Sequence, residues 1–233
     1  MESALYLIPV TLGESPLERV LPSYNIEVIR GIRYFIVENV RSARRFLKRC
    51  DKNIDIDSLT FFTLDEHTRP EEMRDYLSPL LAGNPIGVVS EAGCPAVADP
   101  GADVVAMAQS QGLRVIPLVG PSSILLSLMA SGFNGQSFAF HGYLPVDSVR
   151  RVKKLHELER GIAAGQTQIF IETPYRNNKL IADICNTVKR NLRLCVACDL
   201  TCENETVTTR RVDEWSKGGY DYGKRPAIFL LYH

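Results

Sequence analysis

The chain has 233 residues, 45% of them hydrophobic and 23% charged, and its 27 basic and 27 acidic side chains leave no formal net charge. That length supports one large domain or two small ones with a real core, and the charge balance excludes a global basic field for nucleic acid while leaving local patches open. The opening MESALYLIPV lacks a basic flank and a long apolar core, no run of about 18 apolar residues occurs, and six cysteines are too few for a disulfide scaffold, so a reduced, cytoplasmic setting with no membrane span is expected.

In chain order, short apolar runs predict strands at Leu5–Val10, Arg33–Glu38, Leu59–Leu64, Ile86–Glu91 and Arg114–Leu118. Between them, helical patterns cover Arg41–Cys50, Met73–Ala82 and Ala102–Gln111. Strands alternating with helices indicate a mostly parallel sheet, and the lack of period-two alternation indicates strands covered on both faces. The pattern changes after PLVGPSS. A small-residue helix follows, then SFAFHGYLP, a charged helix SVRRVKKLHELERG, and strands at TQIFIET, LRLCVAC, ETVTTRRV and AIFLLYH, with strand pairs lacking helices between them near the end. The fold class is therefore α/β, with two domains: residues 1–118, mostly parallel, and residues 119–233, mixed. A cleft between them is the expected ligand site, since domain interfaces favour small-molecule sites.

Common nucleotide and hydrolase signatures are missing: no G-x-G-x-x-G follows a strand, and neither a P-loop nor a G-x-S-x-G elbow occurs. Three loops at strand carboxyl ends stand out instead. In Ser90–Gly101, SEAGCPAVADPG, Gly93 and Gly101 free the backbone and Pro95 and Pro100 stiffen it. Glu91 and Asp99 can accept hydrogen bonds from an amine or a hydroxyl; alternatively the loop is a connector in which Asp99 caps the next helix. The runs IPVTLGE, with Gly13, and PLVGPSS, with Ser122 and Ser123, read alone as a βα turn and a helix cap. In a parallel sheet all three ends share one edge, so together they can ring one pocket.

These segments resemble those of the tetrapyrrole-methylase superfamily, the class III S-adenosylmethionine (SAM) methyltransferases. SEAGCPAVADPG is similar to the signature S-D-A-G-x-P-x-x-x-D-P-G. Within the superfamily the resemblance is to small-subunit ribosomal RNA (cytidine-2'-O)-methyltransferases, and it runs along most of the chain. LYLIPVTLGE, VENVRSARRFLKR, FFTLDEHTRPEE, VIPLVGPSSILLSLMASGF, FAFHGYLP and QIFIETPYR follow that family's segments in order. The resemblance implies two α/β domains, a homodimer, and SAM as cofactor in the inter-domain cleft. It implies cofactor contacts at Pro9, Val10 and Gly13, at Ser90, Glu91, Ala92, Gly93, Pro95 and Asp99, and at Gly120, Pro121, Ser122 and Ser123, with the helix Leu125–Gly132 nearby.

Glu38 and Arg41 fall where the family carries E-D-T-R. Glu38 is the candidate base or substrate anchor and Arg41 a bidentate donor to phosphate or carboxylate; a helix-start acid and a surface arginine are the plainer alternatives. His67, Glu172 and Arg176 are the retained residues on the implied substrate side. Asn39, Val40, Asp65, Thr68, Glu14 and Tyr175 depart from the family pattern, mostly on that side, and leave the acceptor open. Two basic helices, one with Arg41, Arg44, Arg45, Lys48 and Arg49 and one with RRVKKLHELER, read either as solvated faces or as RNA backbone contacts. Cys195, Cys198 and Cys202 lie close together but on a strand pattern, which favours packing over metal; His141 and His156 read as structural or exposed. Three functions follow: an RNA methyltransferase, a methyltransferase of a small molecule such as a tetrapyrrole, or a silent SAM-binding module.

Overall fold

In the computed structural model, which describes residues 1–65, 68 and 72–233, strand and helix alternate from the first apolar run onward. The chain divides into two units, Met1–Ser122 and Ser123–His233. The first opens with β1 (Leu5–Ile8), α1 (Leu17–Val20), α2 (Ser23–Arg30), β2 (Tyr34–Val37) and α3 (Val40–Cys50). It continues with β3 (Thr60–Thr63), α4 (Ser78–Leu81), β4 (Ile86–Val89), α5 (Gly101–Ser110) and β5 (Val115–Pro117). The strands pair in parallel in the order β3-β2-β4-β1-β5.

Alternation along each strand divides its side chains between two cores. Tyr6, Ile8, Phe35 and Val37 pack with Val28 and Ile29 of α2 and with Phe46 and Leu47 of α3. Leu5, Ile36, Ile86 and Val88 pack on the other face with Leu80 of α4 and Val104 and Ala108 of α5. Because both faces are covered, every position of the central strands is apolar, as the sequence reads. Neighbouring strands β1 and β4 send the chain in opposite directions along the sheet, β1 toward β2 and β4 toward β5. Such a reversal gathers loops into a crevice at the carboxyl edge.

The expected elements need three corrections in this unit. The strands are shorter: Pro9 and Pro117 have no amide to extend a ladder, so β1 stops at Ile8 and β5 ends at Pro117. The helix expected over Met73–Ala82 is a 3-10 turn, Glu72–Asp75, followed by α4, with Pro79 at its start. Helices α1 and α2 carried no predicted element. α2 is short and its buried face includes Asn25, which dilutes the apolar stripe; the Asn25 side-chain amide donates to the Val119 carbonyl at 2.8 Å.

The second unit holds α6 (Ser123–Ser131), β6 (Phe138–Tyr143), α7 (Ser148–Ala163), β7 (Thr167–Ile171) and α8 (Asn177–Thr187). It ends with β8 (Arg193–Cys198), β9 (Thr206–Arg211), α9 (Val212–Trp215) and β10 (Ala227–Tyr232). The sheet order is β6-β7-β10-β8-β9, with only β6 and β7 parallel among these pairs. Leu155, Leu158 and Ile162 of α7 recur at helical spacing and meet Leu180, Ile181 and Ile184 of α8, Phe170, Phe229 and Trp215 in one core. α6 lies against β8, β9 and β10, and Thr209 Oγ1 donates to its Ser131 carbonyl at 2.9 Å. Helix α8 was not predicted, nor was α9, which precedes the last strand. The start of α8 lacks a capping side chain, and Asn177 there turns inward, donating to the Tyr222 and Arg225 carbonyls at 2.9 and 2.7 Å.

Candidate functional site

The loops after β1, β4 and β5 meet at the carboxyl edge of the first sheet. The Val10 amide donates to the Gly93 carbonyl at 2.9 Å. Gly93 has a φ of +73°, a region open to glycine. A Cβ placed on it would lie 3.1 Å from Leu12 Cδ2 and 3.2 Å from the Pro121 carbonyl oxygen. Gly120 presses on the first loop: a Cβ there would stand 2.2 Å from Pro9 Cβ. Ser90 is buried, and its hydroxyl donates to the Gly93 carbonyl at 3.2 Å. Three separate turns thus become one cluster, held by backbone groups and by the absence of side chains at Gly93 and Gly120.

Beyond Gly93 the loop is held by Asp99. Its Oδ1 accepts from the amides of Ala96 and Gly101, both at 2.8 Å, and so steadies a turn in which Ala96 and Ala98 take positive φ of 64° and 60°. Gly101 opens α5 after Pro100, which is its N-cap and supplies no capping side chain, so Asp99 braces the loop up to the first helical amide and is not itself the cap. Pro95 is buried in the loop and Ala92 is exposed. Ser122 closes the first unit and Ser123 opens α6 in the second.

A group of carboxylates gathers where β2 and β4 end. Glu38 Oε1 accepts from the Glu91 amide at 3.4 Å, and Glu38, Ser90 and Asp99 line one small space. Burial pushes the Glu38 carboxyl above its ordinary range; the charges of Asp99 and Glu91 act the same way, while the Glu91 amide opposes them. Burial also raises Asp99, against the pull of its two amide donors. Burial and two neighbouring carboxylates therefore make Glu38 hold a proton more readily than an exposed glutamate does. Asn39, one of the departures from the family pattern, caps α3: its Oδ1 accepts from the Arg41 and Ser42 amides at 2.9 and 3.2 Å. An asparagine serves there as an aspartate would. Arg41, in the first turn, is exposed, and its side chain has no polar partner among the described residues.

Sequence reasoning missed Ser42. Its hydroxyl donates to the Glu91 carboxylate, at 2.7 Å to Oε1 and 2.9 Å to Oε2, tying α3 to the loop after β4. A serine in a first helical turn carries no local signal for a partner so far along the chain. Ser42, Glu91, Ser90, Val10 and Gly13 line a cavity of about 420 Å³, with Arg45 and Arg49 on its wall. That size lies within the range of small-molecule sites, roughly 300–1,000 Å³.

Other expected residues lie elsewhere. Glu172 and Arg176 pair with each other: the guanidinium donates to Glu172 Oε1 through Nε at 3.0 Å and Nη2 at 2.6 Å, and the Thr173 amide adds a third bond at 2.7 Å. Glu172 is buried, so this pair fastens the end of β7 to the start of α8. His67 lies outside the described residues. His141 is half-buried with its Nε2 2.7 Å from Gln168 Oε1, and His156 is exposed beside Glu159. Cys195 and Cys198 are free thiols buried in β8, and burial raises each to about 11.

A solved crystal structure of the methyltransferase CobJ superposes on the chain with a TM-score of 0.65 at 12% identity, covering 99% of this chain and 94% of that one. At that identity the likeness concerns the fold. No protein-family model matches the chain. The ribosomal RNA small subunit methyltransferase I of Pseudomonas aeruginosa is 32% identical over 203 residues, spanning 87% of this chain and 68% of that protein. Its Vibrio cholerae counterpart is 30% identical over 205 residues, spanning 87% and 67%. The chain belongs to the ribosomal RNA small subunit methyltransferase I family. The Escherichia coli O157:H7 member aligns with 99% of the chain at 28% identity, so the kinship runs through both units. As a member, the chain is a methyltransferase of the tetrapyrrole-methylase superfamily.

Proposed function

We propose that this methyltransferase family member uses SAM to methylate small-subunit ribosomal RNA in the cytoplasm, with a cytidine ribose 2'-hydroxyl as acceptor. The observation that carries the reading is the meeting of three strand-end loops, two of which line a cavity with Val10, Gly13, Ser90 and Glu91, with Glu38 bonded to the Glu91 amide. SAM supplies a methyl group already activated on a sulfonium. The chain must seat it, align it with the acceptor, and remove the acceptor proton. Val10, Gly13, Ser90, Glu91, Gly93 and Pro121 form the seat. The glycine at Gly93 lets the first and third loops close on its backbone, and the Glu91 carboxylate accepts from hydroxyl or ammonium groups while Ser42 holds it in place. Glu38 takes the 2'-hydroxyl proton, and Arg41 holds a neighbouring phosphate.

Glu38→Gln tests the assignment in two ways. Transfer of labelled methyl from SAM to small-subunit RNA is expected to fall by about 10²–10⁴ in kcat, with SAM affinity unchanged by calorimetry. A variant with wild-type kcat would remove Glu38 as base. The same variant has a stability signature. Because the folded carboxyl is raised above its unfolded value, its ionised form costs stability once pH exceeds the folded pKa, and the cost vanishes below the unfolded pKa. Glu38→Gln is therefore expected to melt higher than wild type at neutral pH, the gap closing as pH falls through the carboxylate range.

The family reading also carries a homodimer. It is supported by apolar surface on the second unit, where Met129, Val149 and Tyr175 are 78%, 77% and 82% exposed. Sedimentation of the full chain is expected to give twice the 26.0 kDa chain mass; a single-chain mass at micromolar concentration would remove the dimer.

A further inference from the structure

The two basic helices fare differently in the fold. On α7, Arg151 is 3% exposed, pairs with Asp183 at 2.6 Å and donates to the Pro145 and Val146 carbonyls. Lys154 reaches Glu157 at 3.4 Å and His156 reaches Glu159 at 3.0 Å. That helix neutralises much of its own charge. On α3 every exposed side chain is a cation: Arg41, Arg44, Arg45, Lys48 and Arg49. Among the described residues, Arg44 alone of these has a carboxylate partner, Asp57, at 2.5 Å. Arg45 has no polar partner among the described residues, while Lys48 donates to the Lys52 carbonyl and Arg49 to the Ser15 carbonyl. A merely solvated helix face usually mixes both signs.

Beside this face lies an open groove of about 1,180 Å³. Its floor is apolar, from Leu17, Leu21, Pro22 and Ile26, and its rim carries Arg45, Lys48, Arg49 and Lys52 against a single acid, Glu18. Arg45 and Arg49 also wall the cavity beside Val10, Gly13 and Glu91, so the groove leads from the candidate site. We propose that this groove holds single-stranded RNA flanking the methylated nucleotide, with phosphates on the Arg45, Lys48 and Lys52 rim and an unstacked base on the Leu21–Ile26 floor. The proposal rests on the RNA-methylating function above. The occupant follows from charge and shape: four cations facing one anion select a polyanion, and an apolar floor within that rim suits a base whose backbone lies on cations. A duplex would offer the floor no base face.

The test uses the full chain, a fluorescein-labelled single-stranded RNA, and a salt series. The double variant Lys48→Gln/Lys52→Gln changes the rim but not the cavity wall. Its RNA affinity is expected to fall roughly ten-fold at low salt, and the slope of log K against log salt to shrink by about 1.4, near 0.7 per lost phosphate contact. Arg44→Gln, which removes a cation already paired with Asp57, is expected to leave the slope unchanged. Ile26→Asp, at the floor, is expected to weaken RNA binding without altering SAM affinity by calorimetry, which also shows that the variants are folded. In methylation of the small ribosomal subunit, the double variant is expected to raise KM with kcat retained. If wild type binds RNA and the rim variant binds with the same affinity and slope, the groove assignment is overturned while the RNA function stands. If wild type binds SAM but no RNA and methylates no ribosomal substrate, the functional reading fails and the groove with it. Retention by an acidic protein in place of RNA would also overturn the proposal.

Discussion

Gly120→Ala is expected to lower SAM affinity at least ten-fold, about 1.4 kcal/mol, and to lower the melting temperature. A Cβ at this position would sit 2.2 Å from Pro9 Cβ and 2.6 Å from Pro9 Cγ. Neither partner can yield by rotating, because the ring is closed and lies at the end of a buried strand. The loops after β1 and β5 must therefore separate. Pro9 precedes Val10, whose amide holds the Gly93 carbonyl, and Gly93 in turn abuts the Pro121 carbonyl. Parting the first contact disturbs the whole three-loop cluster. Overpacking of this kind costs about 1–3 kcal/mol, so the protein remains folded and the affinity loss can be measured. Gly135→Ala, where an added Cβ meets nothing within 4 Å, is the matched control. Calorimetric titration with SAM and a thermal melt on each variant decide the matter; a Gly120→Ala protein with wild-type affinity would separate this contact from the cofactor site.

Trp215→Ala should produce the largest loss of stability, about 3–5 kcal/mol, out of a total that is typically 5–15 kcal/mol. Trp215 is 1% exposed in the core of the second unit. Its indole N–H donates to the Leu194 carbonyl at 2.9 Å, and its ring lies 5.5 Å from Tyr220, 6.0 Å from Tyr222 and 5.3 Å beneath the Arg210 guanidinium. Truncation removes the apolar area, leaves a cavity, and loses the hydrogen bond to the Leu194 carbonyl. Trp215→Phe keeps most of the volume and loses chiefly the hydrogen bond, so it is expected to cost less. Urea midpoints by circular dichroism rank the three proteins. As the chain's single tryptophan, Trp215 also reports wild-type unfolding by fluorescence. Equal midpoints for the alanine variant and wild type would mean that this core does not limit stability.

The two predictions depend on different kinds of information. Trp215 ends a short helix, VDEW, that no local pattern marks, so its central place in the core was not legible. The Gly-Pro turn that contains Gly120 was legible at once, as were Gly93 and Gly13, because turn chemistry is local: a residue that needs no Cβ is written in the sequence at its own position. The first unit's strands were legible for a related reason. A parallel sheet covered on both faces asks for unbroken apolar runs, and LYLI, YFIV and IGVV are such runs. Those strands end short of their apolar runs wherever proline or a turn stops the ladder.

The α/β alternation, the three strand-end loops and the segments that resemble one methyltransferase family can all be read from local runs of residues. Which charges are engaged and which stand exposed depends on the folded chain. Arg151 and Arg45 look alike in a list of basic residues, yet one is buried against Asp183 and the other stands exposed on a groove. Glu172 and Glu38 look alike as strand-end acids, yet one is bound by Arg176 and the other is raised by burial beside Asp99 and Glu91. Local propensity acts over a few residues and is set by each side chain's own geometry. The availability of a charge depends on partners that only the folded chain brings within reach, 32 residues on for Asp183, 49 for the Ser42–Glu91 bond and 53 for the Glu38–Glu91 bond.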